Sequence, residues 1–419
     1  MKLPLLLFLA LAIPCFSAMS EVQSPDDDDS DETEAASPAP EPPDPAALLA
    51  TAAVVRAVPP LADVKRARDG VDIAVQAPAN GVAFVDLAPA GKDARVVHQR
   101  FPVIAGANHL HVRFPAGPGS WSVRVLTRDY GEANRVGSLG RGEEQFTNPE
   151  AITIGTGGRL YVADTGSDRI EVLSDRHTFL FEFGGFSAQA ASSFSVNDAQ
   201  KFDEPCALVQ SINSDIYVVD RNNNRIVRID RDGHLLSTFG GDAGLKLPRG
   251  ITANSRGEVI VADTGNDRLV VFDRDGHMQR EFGTFGWGPR QFKTPHAVTI
   301  DDENNMIVAD TDNDRVQIFD NFGKLVGILK NGFTRPLAVR ADSDGMIWVV
   351  DGKTRQVVRC TRDNRVLETF AAPRLPLEEP ADLEITPEGH LYIVDRAASV
   401  LWRVECRSQS SEVHGLLPR

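Results

Sequence analysis

The stretch "IVADTGNDRLVVFDRDGH" occupies residues 260–277. It runs from a β-prone segment into Asp263, a polar loop, Arg268, a second β-prone segment and a glycine turn. Nearly the same text stands at 307–323 ("IVADTDNDRVQIFDNFG") and at 161–177 ("YVADTGSDRIEVLSDRH"). A chain that repeats one phrase so often is built from copies of one supersecondary unit, each unable to bury its apolar face alone.

Aligning the copies on a preceding proline gives their number. Pro149, Pro205, Pro248, Pro295, Pro336 and Pro380 are each followed fifteen residues later by Asp164, Asp220, Asp263, Asp310, Asp351 and Asp395. The prolines are spaced 56, 43, 47, 41 and 44 residues apart, a period that fits propeller blades. Within each unit an alternating run ("AITI", "GITA", "AVTI") leads into a turn rich in Gly, Asn, Asp and Ser. A strongly β-prone run follows and ends in the aspartate ("LYVAD", "VIVAD", "IWVVD"). A third run comes next ("RIEVL", "RLVVF"), then a tight turn such as "DRDGH" and a fourth run. Four antiparallel strands per unit are expected, with hairpin chemistry between them. Helical periodicity is absent.

These residues resemble the NHL-repeat family of β-propellers over roughly residues 130–407. The motif is the proline, the aspartate at plus fifteen and an arginine five residues beyond it: Arg169, Arg225, Arg268 and Arg315. The arginine shifts to Arg355 at plus four in the fifth unit, and Val400 replaces it in the sixth. The expected fold is therefore all-β, a six-bladed β-propeller of the NHL type preceded by a small β-rich region. The ring has to close, because open sheet edges invite aggregation. The segment "VGSLGRGEEQFTNP" (136–149) matches "FGTFGWGPRQFKTP" (282–295), so the chain enters the ring on a fourth-strand segment. Residues near 130–137 are expected to supply the outer strand of the blade built from 380–407.

Ahead of the repeats, "MKLPLLLFLALAIPCFSAMS" combines a basic start with an apolar run of signal-peptide length, too short to span a bilayer. A secreted or secretory-pathway protein without stable membrane insertion is expected. Residues 21–45 carry ten Asp/Glu and no Lys or Arg, a composition expected to stay disordered. Of the formal charge of −15, removing that −10 and the +1 of Lys2 leaves about −6 for the rest. The basic excess of a general nucleic-acid binder is missing. The expected division is a signal peptide (1–20), an acidic Pro-rich linker (21–60), a sandwich-like β-rich region (61–128), the propeller (129–407) and a C-terminal tail (408–419). Past the leader three cysteines remain, Cys206, Cys360 and Cys406. Cys360 and Cys406 fall at similar points of successive units and are the disulfide candidates.

The repeated aspartate has two readings. A ring of six carboxylates at a channel mouth can hold a cation. Alternatively, each carboxylate accepts hydrogen bonds from its own turn and from the arginine five residues on, worth roughly 1.5–3 kcal/mol apiece. Catalysis needs a group once or twice, whereas a fastener is needed in every blade, so the structural reading is preferred for all six aspartates and the four arginines. Distinctive chemistry is then expected where the units differ. The residues after the prolines are Glu150, Cys206, Arg249, His296, Leu337 and Ala381, all expected at the channel mouth.

The candidate partner-binding set is Arg249, His296, Phe285, Trp287, Glu150, Arg221 and Arg335, joined by a long insertion at 186–204. The expected function is a monomeric scaffold for a protein or peptide, not an enzyme, with no cofactor. One rival is a divalent-metal-dependent lyase or hydrolase, implied by similarity to the peptidyl-α-hydroxyglycine amidating lyases, which place zinc histidines at such positions. Only His296 matches, and a zinc site here would need His296, Glu150 and Cys206. "DTDNDR" (310–315) has alternating acidic oxygens as a calcium loop would, but lacks the glycine and distal glutamate of an EF-hand. The second rival is RNA binding, implied by the NHL propellers of tripartite-motif proteins.

Overall fold

The computed structural model describes residues 62–67, 69–77, 80–90, 95–114, 119–185 and 201–416, all within one compact unit, 57–419. The leader, the acidic segment and most of the 186–204 insertion lie outside the described residues.

Six sheets follow one another along the chain. Five are four-stranded meanders, beginning at Ala151, Pro205, Gly250, Pro295 and Pro336. The sixth begins with Pro380–Ile385, Leu391–Asp395 and Val400–Leu416. Each first strand touches the first strand of the next sheet, and the sixth touches that of the first, so the inner strands form a closed ring around a channel. The chain is a β-propeller.

The packing explains the sequence pattern. Every second strand, from Leu160–Asp164 to Leu391–Asp395, is buried at all five positions. It lies inside its own sheet with another sheet against each face, which selects a continuous apolar run rather than alternation. Outer strands such as Leu235–Phe239 alternate between half-buried and exposed. Six apolar clusters fill the gaps between neighbouring sheets, the last joining Tyr392, Val394 and Leu401 of the sixth sheet to Phe146, Ile152 and Val162 of the first.

The residue four beyond each aspartate is left-handed in all six sheets: Asp168, Asn224, Asp267, Asp314, Arg355 and Ser399, with φ between 52° and 57°. Asp and Asn tolerate that region best. Arg355 is thus the exposed turn residue of the fifth sheet and not the partner of Asp351, which corrects the shifted-arginine expectation.

Closure uses a strand that precedes the repeats. The N-terminal strands are β1 (Ala62–Arg66), β2 (Gly70–Ala77), β3 (Gly81–Pro89), β4 (Val97–Val103), β5 (Gly106–Arg113) and β6 (Gly119–Val136). The end of β6 pairs with the last strand, Val136 opposite Leu401 and Tyr130 opposite Cys406. The two then run on together to Ser120 opposite Leu416. Residues 408–416 are therefore strand rather than tail, and no boundary falls at 128, since β6 passes through it. β1, β2 and β5 form a second sheet that packs on β3, β4 and β6 around Val71, Ile73, Val85, Leu87, Leu110 and Val123.

This sandwich rests on the hairpin face of the propeller. Arg100 pairs with Asp302 and Arg128 with the buried Asp344, each at 2.5 Å, and Val82 packs against Met346 and Leu367. The face carrying the prolines and aspartates is the opposite one. Among the described residues no helix is long and apolar enough to cross a membrane.

Candidate binding site at the channel mouth

The six aspartates are fully buried, and each accepts a backbone N–H from the residue seventeen positions earlier. The donors are Thr147, Asp203, Lys246, Lys293, Thr334 and Glu378, at 2.5–2.9 Å. Each carboxylate thus ties the loop entering its blade to the end of the second strand, rather than bonding only within its own turn. Arg169, Arg225, Arg268 and Arg315 donate Nε to the same carboxylates at 2.7–2.9 Å. The carboxylates face into the blades and do not meet around an ion.

All six residues that follow the prolines line a cavity of about 260 Å³ at the mouth of the channel. Its centre is Glu150, whose Oε1 lies 3.2 Å from Arg396 Nη1. Its Oε2 lies 3.6 Å from Arg249 Nη1 and 3.8 Å from Arg221 Nη1. Arg335 also lines the mouth. It is exposed, and its guanidinium has no hydrogen-bond or ion-pair acceptor among the described residues. On the outer side Arg221 pairs with Glu204 and Arg396 with Glu379. Burial, and after it the neighbouring charge of Arg249, lower the pKa of Arg221, as expected for a desolvated cation beside another.

Deeper in the cavity Arg340 donates to Asp382 Oδ2 at 2.9 Å and lies 3.3 Å from Glu384. Ile152 N donates to the same Oδ2. Asp382 Oδ1 is buried and has no donor among the described residues. Burial raises this carboxyl to about 6, against the opposing pull of Arg340.

Arg396, Arg340 and Asp382 were absent from the set expected on sequence, yet the repeat columns mark two of them, Asp382 and Arg396. Two residues after the prolines stand Ala151, Ala207, Gly250, Ala297, Ala338 and then Asp382. One residue after the aspartates stand Thr165, Thr264 and Thr311, but Arg221 and Arg396 in the second and sixth units. Those threonines donate to the carbonyl of the next blade's proline at 2.6–2.7 Å. The two arginines abandon that latch and reach Glu150.

His296 and Cys206 do not form a metal site. His296 Nδ1 donates to the Leu337 carbonyl at 3.0 Å, and its Nε2 accepts from Arg249 Nη1 at 3.2 Å. Burial and Arg249 push its pKa down to about 3, so it is neutral and its lone pair is engaged. Cys206 Sγ faces the carbonyls of Pro248 and Arg249, and burial raises its thiol pKa far above the usual range. With Glu150 held by arginines, these three residues do not fit zinc. In "DTDNDR" the acids also diverge: Asp310 is buried on Arg315, Asp312 accepts from Thr294, and Asp314 is the left-handed turn residue. No cluster of three or more potential metal ligands occurs among the described residues.

The expected disulfide is likewise absent, since Cys360 and Cys406 are free and buried. Cys360 packs between the fourth and fifth sheets and Cys406 between the fifth and sixth, so a whole sheet separates them.

Phe285 and Trp287 do not enter the cavity. They stand on the lip, 56% and 66% exposed, with ring centroids 5.3 Å apart. Their loop is rigid: Arg315 donates to the Trp287, Gly288 and Gln291 carbonyls at 2.8 Å, and Phe285 bridges to Phe292. Gly283 has φ 100°, and a Cβ there would come 2.5 Å from the buried Phe292 ring. The loop entering the first blade repeats this construction. Ser138–Leu139 pairs with Gln145–Phe146, Gln145 caps Gly142 as Gln291 caps Gly288, and Leu139, in the place of Phe285, is 71% exposed. The two loops are three blades apart, on opposite sides of the mouth.

A sequence model of the NHL repeat matches residues 245–272. The protein brain tumor of Drosophila melanogaster is 27% identical over 124 residues, which cover 29% of this chain and 11% of that protein. The chain carries an NHL repeat at residues 245–272. Solved structures share the architecture of the chain. A catalytically inactive virginiamycin B lyase variant from Staphylococcus aureus, solved with quinupristin, is 14% identical with a TM-score of 0.50, covering 70% of this chain and 100% of its own. A protein of unknown function from Bacteroides thetaiotaomicron is 11% identical with a TM-score of 0.52, covering 84% and 99%. At such identities the likeness is one of fold, and one fold carries many functions.

Proposed function

We propose that this protein is a binding scaffold that takes a protein or peptide across the face carrying the prolines and aspartates. One observation carries the reading: two equivalent, rigidly built loops stand on opposite sides of the mouth and hold Leu139, Phe285 and Trp287 out to solvent. A large aromatic side chain fixed in an exposed position exposes apolar area without a folding benefit, and such anchors dominate the energetics of interfaces. The sandwich occupies part of the other face, which leaves this one open to a partner. The overall acidity speaks against a nucleic-acid backbone as that partner. An extracellular or secretory-pathway setting, expected from the leader, and a monomeric state belong to the same proposal.

The test is selection of a phage-displayed random peptide library on the immobilised protein, followed by anisotropy titration of the recovered consensus peptide. Trp287→Ala and Leu139→Ala are each expected to weaken binding roughly tenfold or more. Phe322→Ala, an 86%-exposed residue on the opposite face, leaves it unchanged. Recovery of no consensus, or binding sensitive to Phe322 and indifferent to Trp287 and Leu139, overturns the reading.

A further inference from the structure

We infer that the channel mouth is a receptor site for a carboxylate, supplied by an Asp or Glu side chain of the peptide that crosses the lip. The inference rests on the scaffold reading for the peptide, but the site itself is argued from its own chemistry. Arg221, Arg249 and Arg396 converge on one carboxylate, Glu150, whose nearest approach to any of them is 3.2 Å. Glu204 and Glu379 hold Arg221 and Arg396 on the outer side and His296 accepts from Arg249, yet three guanidiniums with five N–H groups each still present more donors than these acceptors and Glu150 take up. Arg335 adds a fourth guanidinium to the same rim, with no acceptor of its own among the described residues. A second carboxylate entering here meets donors already oriented by the blades, the arrangement in which arginine recognises carboxylates best.

The independent observation lies at the floor. Asp382 Oδ1 is buried in the same cavity without a donor among the described residues, and a buried acceptor left unmade is costly. The site therefore offers donors at the rim and one acceptor beneath them. An acidic side chain entering from above supplies the complement to the rim, its carboxylate accepting from the arginines. A volume of about 260 Å³ suits one residue rather than a folded element. Apolar anchors on both sides of the mouth favour a chain passing over it, so that a side chain rather than a chain end enters.

The test titrates acetyl-Glu-amide and acetyl-Asp-amide into the full chain by saturation-transfer NMR and calorimetry. Acetyl-Gln-amide serves as the neutral control, acetyl-alanine as the chain-end carboxylate, and inorganic phosphate and an oligouridylate as other anions. The expected result is binding of an acidic amide at least roughly tenfold tighter than acetyl-Gln-amide, weakened severalfold by Arg335→Ala. Arg335 is exposed and unpaired among the described residues, so its removal spares the fold. Tighter binding of acetyl-alanine, phosphate or the oligouridylate overturns the assignment to an acidic side chain. A library peptide that binds equally well after Glu→Gln exchange and to Arg335→Ala overturns this inference and leaves the scaffold reading standing. Carboxylate binding with no peptide recovered does the reverse.

Discussion

The indole Nε1 of Trp402 donates to Oδ2 of Asp395 at 3.2 Å, replacing the arginine that fastens the aspartate of each of the first four blades. The sixth blade has Val400 at the arginine position, and a neutral donor two residues further on takes the role. Glu378 N and Glu379 N also hold this carboxylate, each at 2.9 Å. Trp402→Phe should therefore cost only about 1–3 kcal/mol in chemical denaturation, the loss of one bond to a charged acceptor.

Asp310→Ala should be worse, because it leaves Arg315, 4% exposed, as a buried charge without its counterion, at about 3–5 kcal/mol. The same arginine holds the Trp287 loop through three carbonyls. Hydrogen exchange of residues 285–292 should accelerate in this variant well before global unfolding. Equal protection of that loop in both proteins would separate the fastener from the lip.

Glu171 gives a prediction in pH. It is fully buried beside Asp164, Glu182 and a single arginine, Arg169, and burial raises its carboxyl to about 7 despite that arginine. The folded protein thus binds this proton more tightly than the unfolded chain, so its contribution favours folding at low pH and is lost as pH rises from the ordinary carboxyl range through about 7. The fourth blade has Gln317 at this position, donating to the Gln291 carbonyl and to Asp310. Glu171→Gln should stabilise the protein at pH 8 by on the order of 1–3 kcal/mol and flatten its pH–stability profile between 5 and 7.5. Equal slopes in both proteins would show that Glu171 is not the titrating group.

The propeller was legible because its constraints recur. A buried carboxylate fixed from seventeen residues upstream, a left-handed turn residue four positions later and a proline-led inner strand each leave a column that can be counted. The mouth was legible in part: the column after the prolines gave Glu150, Arg249 and His296, and Arg221 was expected, but its counterpart Arg396 stands in a column otherwise of threonines and a glycine, and Arg340 and Asp382 lie deeper along the inner strands. Asp382 was hidden among alanines and a glycine because the eye reads a small-residue column as packing. The cysteine pair failed for a related reason, since Cys360 and Cys406, nine and eleven residues past their aspartates, lie on neighbouring blades and face the same way around the ring. The last strand was missed beyond 407 because "RSQSSEVHGL" has too little apolar content to announce pairing with β6.

Removal of residues 408–419 tests that pairing. Residues 408–416 cover one edge of β6 from Ser120 to Arg128, while β3 covers the other. Truncation leaves β6 as a long open edge. Limited proteolysis should then cut within 62–128 while the segment from 130 to 407 stays protected, and size-exclusion chromatography should show self-association. A truncated chain as resistant and monodisperse as the full one would mean that the sandwich holds through Arg100, Arg128 and the Val82 cluster alone.

The two mouth arginines at the latch column permit stability and binding to be separated in one experiment. In the first, third and fourth blades a threonine at this position donates to the next blade's proline carbonyl. Arg221→Thr and Arg396→Thr place the same hydroxyl opposite the Pro248 and Pro149 carbonyls, adding a bond worth roughly 0.5–1.5 kcal/mol each and removing charge that crowds Arg249. The double variant should melt at the same temperature as the parent or slightly above it. Its affinity for acetyl-Glu-amide should fall by roughly tenfold or more, as expected for loss of two charged donors. Glu150 keeps Arg249 and so is not left as an isolated buried charge. A fall in melting temperature would show that these arginines support the fold; an unchanged affinity would show that they take no part in holding the anion.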